Sequence, residues 1–100
     1  MSRHYCDTTM DGQAVRVVLG YDRPLDYVFC TVHGEDGKIV YSNLEDEDAG
    51  TQQQDVEYFR NVLTKLQIDV PVSMFIEVAK DQLGCVGNRI EQHKLSGNEL

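Results

Sequence analysis

No run of apolar residues in this chain approaches the roughly 18 that a membrane-spanning helix needs. The opening stretch, MSRHYCDTTMDG, also has no apolar core of the signal-peptide kind, so no membrane partner is expected. Tryptophan is absent. The three cysteines, Cys6, Cys30 and Cys85, are an odd set, which does not suit a small secreted scaffold held by disulfides and fits a reducing cytoplasm. Basic residues are scarce, nine against 17 acids, and the deficit is local. Residues 35–58 set Lys38 alone against eight acids, whereas residues 59–100 balance five against five. Such a surface repels phosphate backbones, so no nucleic-acid partner is expected. The glycine patterns of dinucleotide and nucleoside-triphosphate sites are missing, as is the G-x-S-x-G elbow of serine hydrolases.

What is present is a globular composition, 41% hydrophobic over 100 residues, enough for one modest core. Residues 1–12 are polar and unpatterned and read as a flexible N-terminal arm. Residues 13–94 read as a single α+β domain, and 95–100 as a frayed C-terminal tail. In QAVRVVLGY, Val15, Val17 and Leu19 alternate with Arg16 as in a half-buried strand. Pro24 then interrupts the run and imposes a turn. LDYVFCTVH is apolar on both faces, the mark of an interior strand. Asp36-Gly37 predicts a primed hairpin turn into KIVYSNL, making residues 25–44 an antiparallel hairpin.

Thr51 and Gln54 have capping-box spacing, and Val56, Phe59, Val62, Leu63 and Leu66 follow at helical intervals. Pro71 suits the start of a second helix, with Met74, Phe75, Val78, Ala79 and Leu83 as its apolar face and Gly84 just past its end. NRIEQHK reads as a short edge strand or a third helix, with the strand preferred. The expected fold is an antiparallel sheet of three to four strands with two helices packed on one face.

LGCVGNRI, residues 83–90, matches the bare aliphatic-Gly-x-x-Gly-x-x-Ile pattern of the KH-domain loop, which clamps a nucleic-acid backbone. Cys85 and Val86 stand where that family places basic or small polar residues. A helix stop at Gly84 and a turn at Gly87 account for both glycines without a ligand. No metal centre is expected. Cys30 and His33 are three apart on a strand, so they point to opposite faces. His4, Cys6, Cys85 and His93 are too scattered to form a spacing motif. Asp46, Asp48 and Glu57 fall at EF-hand positions, but Gly50 and Thr51 break the loop. Cys85 with His93 is the one nucleophile–base pairing in sight, and chance explains it.

The remaining polar residues at element ends, Tyr21, Asp22, Arg23, Asn43, Asn88 and Arg89, are the candidate binding residues. Arg23 and Arg89 suit bidentate capture of an anion. Asp22 and Asn43 have equally concrete structural roles as turn caps. The strings VVLGYDRPL, YSNL and VGNRI together resemble a family of small uncharacterised bacterial proteins over about residues 14–93. That resemblance implies a one-domain bacterial cytoplasmic protein and brings no activity or cofactor with it. The function expected is a non-enzymatic protein-interaction module, with a protein partner or self-association. A small anionic-ligand-binding protein or minor enzyme using Arg23 and Arg89 is the alternative.

Overall fold

The first strand of the computed structural model, which describes residues 1–50 and 54–94, is β1, Ser2–Met10. This corrects the flexible arm expected over residues 1–12. Ser2, His4 and Cys6 point inward and are fully buried, while Arg3 and Asp7 face out. The period of two is intact. It escapes a hydrophobicity reading because two of the inward places hold serine and histidine. Asp11 and Gly12, with φ of 52° and 77°, form the tight turn into β2, Gln13–Asp22. Positive φ at both central residues is what a type I′ hairpin requires, and an Asp-Gly pair tolerates it.

β3, Tyr27–Gly34, returns antiparallel to β2, and β4, Ile39–Ser42, closes the hairpin expected over 25–44. Its turn is not the primed one expected at Asp36-Gly37. Gly37 N–H donates to Gly34 O, Gly34 N–H donates to Lys38 O, and only Gly37 has positive φ, at 83°. That is a type I turn followed by a left-handed residue, the next commonest hairpin solution.

After a one-turn helix α1, Glu47–Gly50, come α2, Val56–Lys65, and α3, Val72–Leu83. Asp55 caps α2 by accepting from Tyr58 N–H at 3.1 Å. Thr51 of the expected capping box lies outside the described residues, as does the expected tail, 95–100. Pro71 precedes α3 in extended geometry. The last element is the edge strand β5, Arg89–His93, which runs parallel to β1.

The fold is α+β. The sheet, however, is five-stranded and mixed, in the order β4–β3–β2–β1–β5, rather than antiparallel with three to four strands. The chain leaves one edge at β4, crosses one sheet face through α2 and α3, and pairs at the opposite edge. That crossing makes β1–β5 parallel. Val15, Val17, Leu19, Val28, Cys30 and Val32 meet Phe59, Leu63, Met74 and Val78 in the core. Each fully buried aliphatic or aromatic side chain there contributes roughly 1.5–3 kcal/mol.

Both long helices stop by the same device. Ile68 N–H reaches back to Leu63 O and Val86 N–H to Asp81 O, with Gln67 (φ 58°) and Cys85 (φ 49°) in the left-handed position. These are Schellman motifs. The stop in LGCVGNRI is real, but Gly84 keeps negative φ (−89°) and Cys85 takes the left-handed place. Leu83 is 87% exposed and contributes nothing to the apolar face assigned to it. No helix among the described residues is long and apolar enough to cross a membrane.

Candidate functional site

Two regions of the molecule are more than core. The first begins on α3, where Met74, Phe75, Val78 and Asp81 are all buried. Three are apolar, and the fourth delivers a carboxylate beneath the sheet where β1 and β5 run side by side. Asp81 Oδ2 lies 2.7 Å from His4 Nε2, and both side chains are fully buried. His4 Nδ1 is 2.8 Å from His93 Nε2, and His93 Nδ1 is 3.1 Å from the exposed Ser73 Oγ. The other carboxylate oxygen of Asp81 accepts from Arg89 Nη1 at 2.7 Å. The result is an unbroken line, Arg89–Asp81–His4–His93–Ser73, from a half-buried cation to a surface hydroxyl.

The charges along the line hold one another. Burial alone pushes the Asp81 carboxyl up, but hydrogen bonds from His4, Ser2 and Arg89 outweigh it and hold it below the usual carboxylate range. Arg89 is raised by its bond to Asp81 and by Glu91 and Glu77, whose carboxylates lie 3.3 and 3.6 Å from Nη2. His93 is pushed below the ordinary histidine value, first by burial and then by the neighbouring His4. With both imidazoles neutral, the carboxylate sets the direction of every bond. Asp81 accepts Nε2–H of His4, so His4 Nδ1 accepts from His93, and His93 Nδ1 accepts the Ser73 hydroxyl proton. One extra proton on His93 Nδ1 reverses the bond to Ser73.

The expected binding residues sort by position. Ser2 of β1 pairs with Tyr21 on one side and Arg89 on the other. This gathers Tyr21, Asp22, Arg23, Asn88 and Arg89 at one end of the sheet, while Asn43 stands apart beside β3. Asn43 accepts from Cys30 N–H at 3.3 Å and donates to Cys30 O at 3.0 Å, so it continues the strand pairing. Asp22 caps the following turn by accepting from Leu25 N–H. Tyr21 donates to Asp26 at 2.5 Å, and that bond, with burial and the Cys85 thiol, raises its pKa. Asn88 accepts from the Met1 ammonium at 3.2 Å. Arg89 already spends its fork on three carboxylates of its own chain, while Arg23 has no ion pair among the described residues.

The acidic middle is partly structural. Asp46 accepts from the hydroxyls of Tyr41 and Tyr58, each at 2.7 Å, and these bonds lower its pKa. Tyr58 in turn is pushed up to about 12, first by its bond to Asp46. No group of metal-ligating residues is found among the described residues.

The second region is the sheet face that the helices leave open. Tyr5, Val18, Tyr27, Phe29, Ile39 and Leu44 line a shallow concavity of about 560 Å³ together with Arg3, Arg16 and His33. Gly20 leaves room for its neighbours: an added Cβ would clash with the Ser2 carbonyl oxygen and come within 2.6 Å of the Phe29 ring. Arg16 forks onto Asp7 at 2.7 and 3.1 Å and stacks 5.7 Å from the Tyr5 ring. Arg3 makes no ion pair among the described residues. Cys30 and His33 fall on opposite faces, as their spacing predicts, and burial raises the Cys30 thiol to about 12.

Sequence reasoning missed His4, Ser73 and Asp81 as site residues, and it weighed His93 only against Cys85, a pairing it set aside as chance, whereas the structure places Ser73 beside it. The one signal that could have found them is a charged residue, Asp81, on the apolar stripe of α3, seven residues after Met74. No protein-family model matches the chain, and no match is found among curated proteins or solved structures.

Proposed function

We propose that the protein is a protein-interaction module that docks an acidic, apolar segment of another protein on the open face of its sheet. One observation carries this reading: helices cover a single face, and the other presents Tyr5, Tyr27 and Phe29 beside Arg3 and Arg16. Aromatic residues and arginine are the side chains that interfaces favour, because each combines large contact area with a directed polar or cationic edge. Ile39 and Leu44, 52% and 77% exposed, extend the apolar surface. In a chain of net charge −8, cations collected here select an acidic partner. An odd number of cysteines in a short chain supports a reducing bacterial cytoplasm as the setting.

Two synthetic peptides test it, alternating Phe with Glu in one and Phe with Lys in the other. The Glu peptide should bind about tenfold more tightly at low salt, with the advantage shrinking as salt screens the charges. It should shift the backbone amide signals of Arg3, Tyr5, Tyr27 and Phe29, and Arg3→Glu should erase the preference. Equal binding of both peptides, no binding of either, or shifts confined to the helices would overturn the reading.

A further inference from the structure

We propose that Ser73 is an acyl-accepting nucleophile, driven by His93 and aligned through His4 and Asp81, that reacts with short acyl groups carried on good leaving groups. This goes beyond the docking face and uses a different surface. Four side chains from three separate elements stand in line, with contacts of 3.1, 2.8 and 2.7 Å from hydroxyl to carboxylate. The nucleophile–base distance lies within the reach that general-base activation of serine requires. The reactive end is exposed and the far end is fully buried and anchored by Arg89, so the line is fixed at one end and reachable at the other.

The chemistry balances without any other co-reactant than water. Ser73 Oγ attacks the acyl carbon as its proton passes to His93 Nδ1, forming a carbon–oxygen bond and an imidazolium. The Nε2–H of that imidazolium stays bonded to His4, which Asp81 holds in the accepting tautomer. As the bond to the leaving group breaks, the Nδ1 proton goes to the departing alkoxide. Water then repeats the sequence and releases the carboxylic acid. Ser73 lies in the first turn of α3, where Met74 N–H is bonded to Pro71 O while those of Val72 and Ser73 have no acceptor among the described residues. In the proposed reaction those two donors would serve the developing oxyanion on the carbon under attack. Ile76, three residues on and half exposed, offers a short acyl chain an apolar rest. His4 and Asp81 are positioning residues.

The state of the relay sets its reactivity. A proton on His93 Nδ1 turns that nitrogen into a donor towards Ser73 and removes the base. The charged and titratable groups facing His93 are His4 from β1, Glu77 from α3, and Arg89 and Glu91 from β5, with Asp81 of α3 bonded to the far nitrogen of His4.

The test treats the full chain with p-nitrophenyl acetate and follows nitrophenolate release, intact mass and the modified peptide. Acetyl should appear on Ser73, with a rate that rises as pH is raised through the titration of the relay. His93→Gln, whose amide can still bridge His4 and Ser73, should slow acetylation of Ser73 about 100-fold while keeping a native circular dichroism spectrum. If His93→Gln does not fold, the pH profile of the unaltered protein decides alone. The proposal is overturned if acetyl is found only on lysines, the N-terminus or Cys85. It is equally overturned if Ser73 reacts at the same rate in His93→Gln, or with no dependence on pH.

Discussion

Under the helices, the two halves of the sheet are held by different physics. On the β2–β3 side, every inward residue from Val15 to Leu19 and from Val28 to Val32 is apolar or a buried thiol, and contact with α2 and α3 requires only shape and volume. On the β1–β5 side, the inward places hold Ser2, His4 and His93 beside Cys6, and α3 answers with Asp81. There the attraction is directional, and each group is tolerable only because its neighbour satisfies it. The difference teaches where failure would be graded and where it would be abrupt. An apolar core loses stability in proportion to what is removed, whereas a polar line loses it when one member leaves the rest stranded.

The largest effect should come from breaking that line at its centre. Asp81→Ala leaves His4 buried without its acceptor and Arg89 without its main partner, and should cost about 3–5 kcal/mol in urea denaturation. Leu19→Ala, the matched cut on the apolar side, should cost about 3 kcal/mol from lost transfer energy and a cavity. The sharper test is repair. His4→Leu with Asp81→Leu should recover part of the loss, because replacing both buried members removes the stranded group. If the double variant is no more stable than Asp81→Ala, the two sides do not differ as argued.

Acid should separate the two sides next. His93 is lowered by burial and by His4, so the folded protein binds its proton less readily than the unfolded chain, whose histidine titrates near 6.5. Its contribution is complete above that value and is lost as pH falls towards the lowered folded pKa. Asp81 is also lowered, despite burial, by His4, Ser2 and Arg89, so its share is present above 3.8 and lost as pH falls further below that value. Stability should therefore decline in two stages on acidification. In His93→Gln the first stage should be smaller, and in Leu19→Ala both should persist, as measured by urea midpoints at a series of pH values.

The smallest effect lies at the join between the halves, where Cys85 holds positive φ (49°) in the Schellman stop of α3. Cys85→Gly should raise stability by about 0.5–1 kcal/mol, because glycine enters that conformation without the side-chain clash. A fall would mean that the thiol contact with Tyr21 outweighs the backbone relief.

Much of the fold was legible. The alternation in β2 and β3, the stripes of α2 and α3 and the helix stop at Gly84 follow from local periodicity and end signals, whereas residues 88–94 left strand and helix both open until pairing with β1 decided for the strand. The candidate site was far less so. Tyr21, Asp22, Arg23, Asn88 and Arg89 do collect at one sheet end, but only because Ser2, in a segment read as unstructured, pairs with both sides. The open face was half visible in the aromatic alternation of Tyr27 and Phe29. That it stays uncovered depends on which side the chain crosses.

The sequence by itself determined β2, β3, α2 and α3, since burial of apolar side chains at periods of 2 and 3.6 is a local constraint that each of those segments carries alone; β1, with serine and histidine at inward places, was not among them. Only the tertiary structure decided that residues 4, 73, 81 and 93 form one line. Those contacts join residues 20 to 89 positions apart. Polar side chains have no period that announces their partner, and the line exists because β5 pairs in parallel with β1 over a helix whose seventh-residue repeat brings up a carboxylate.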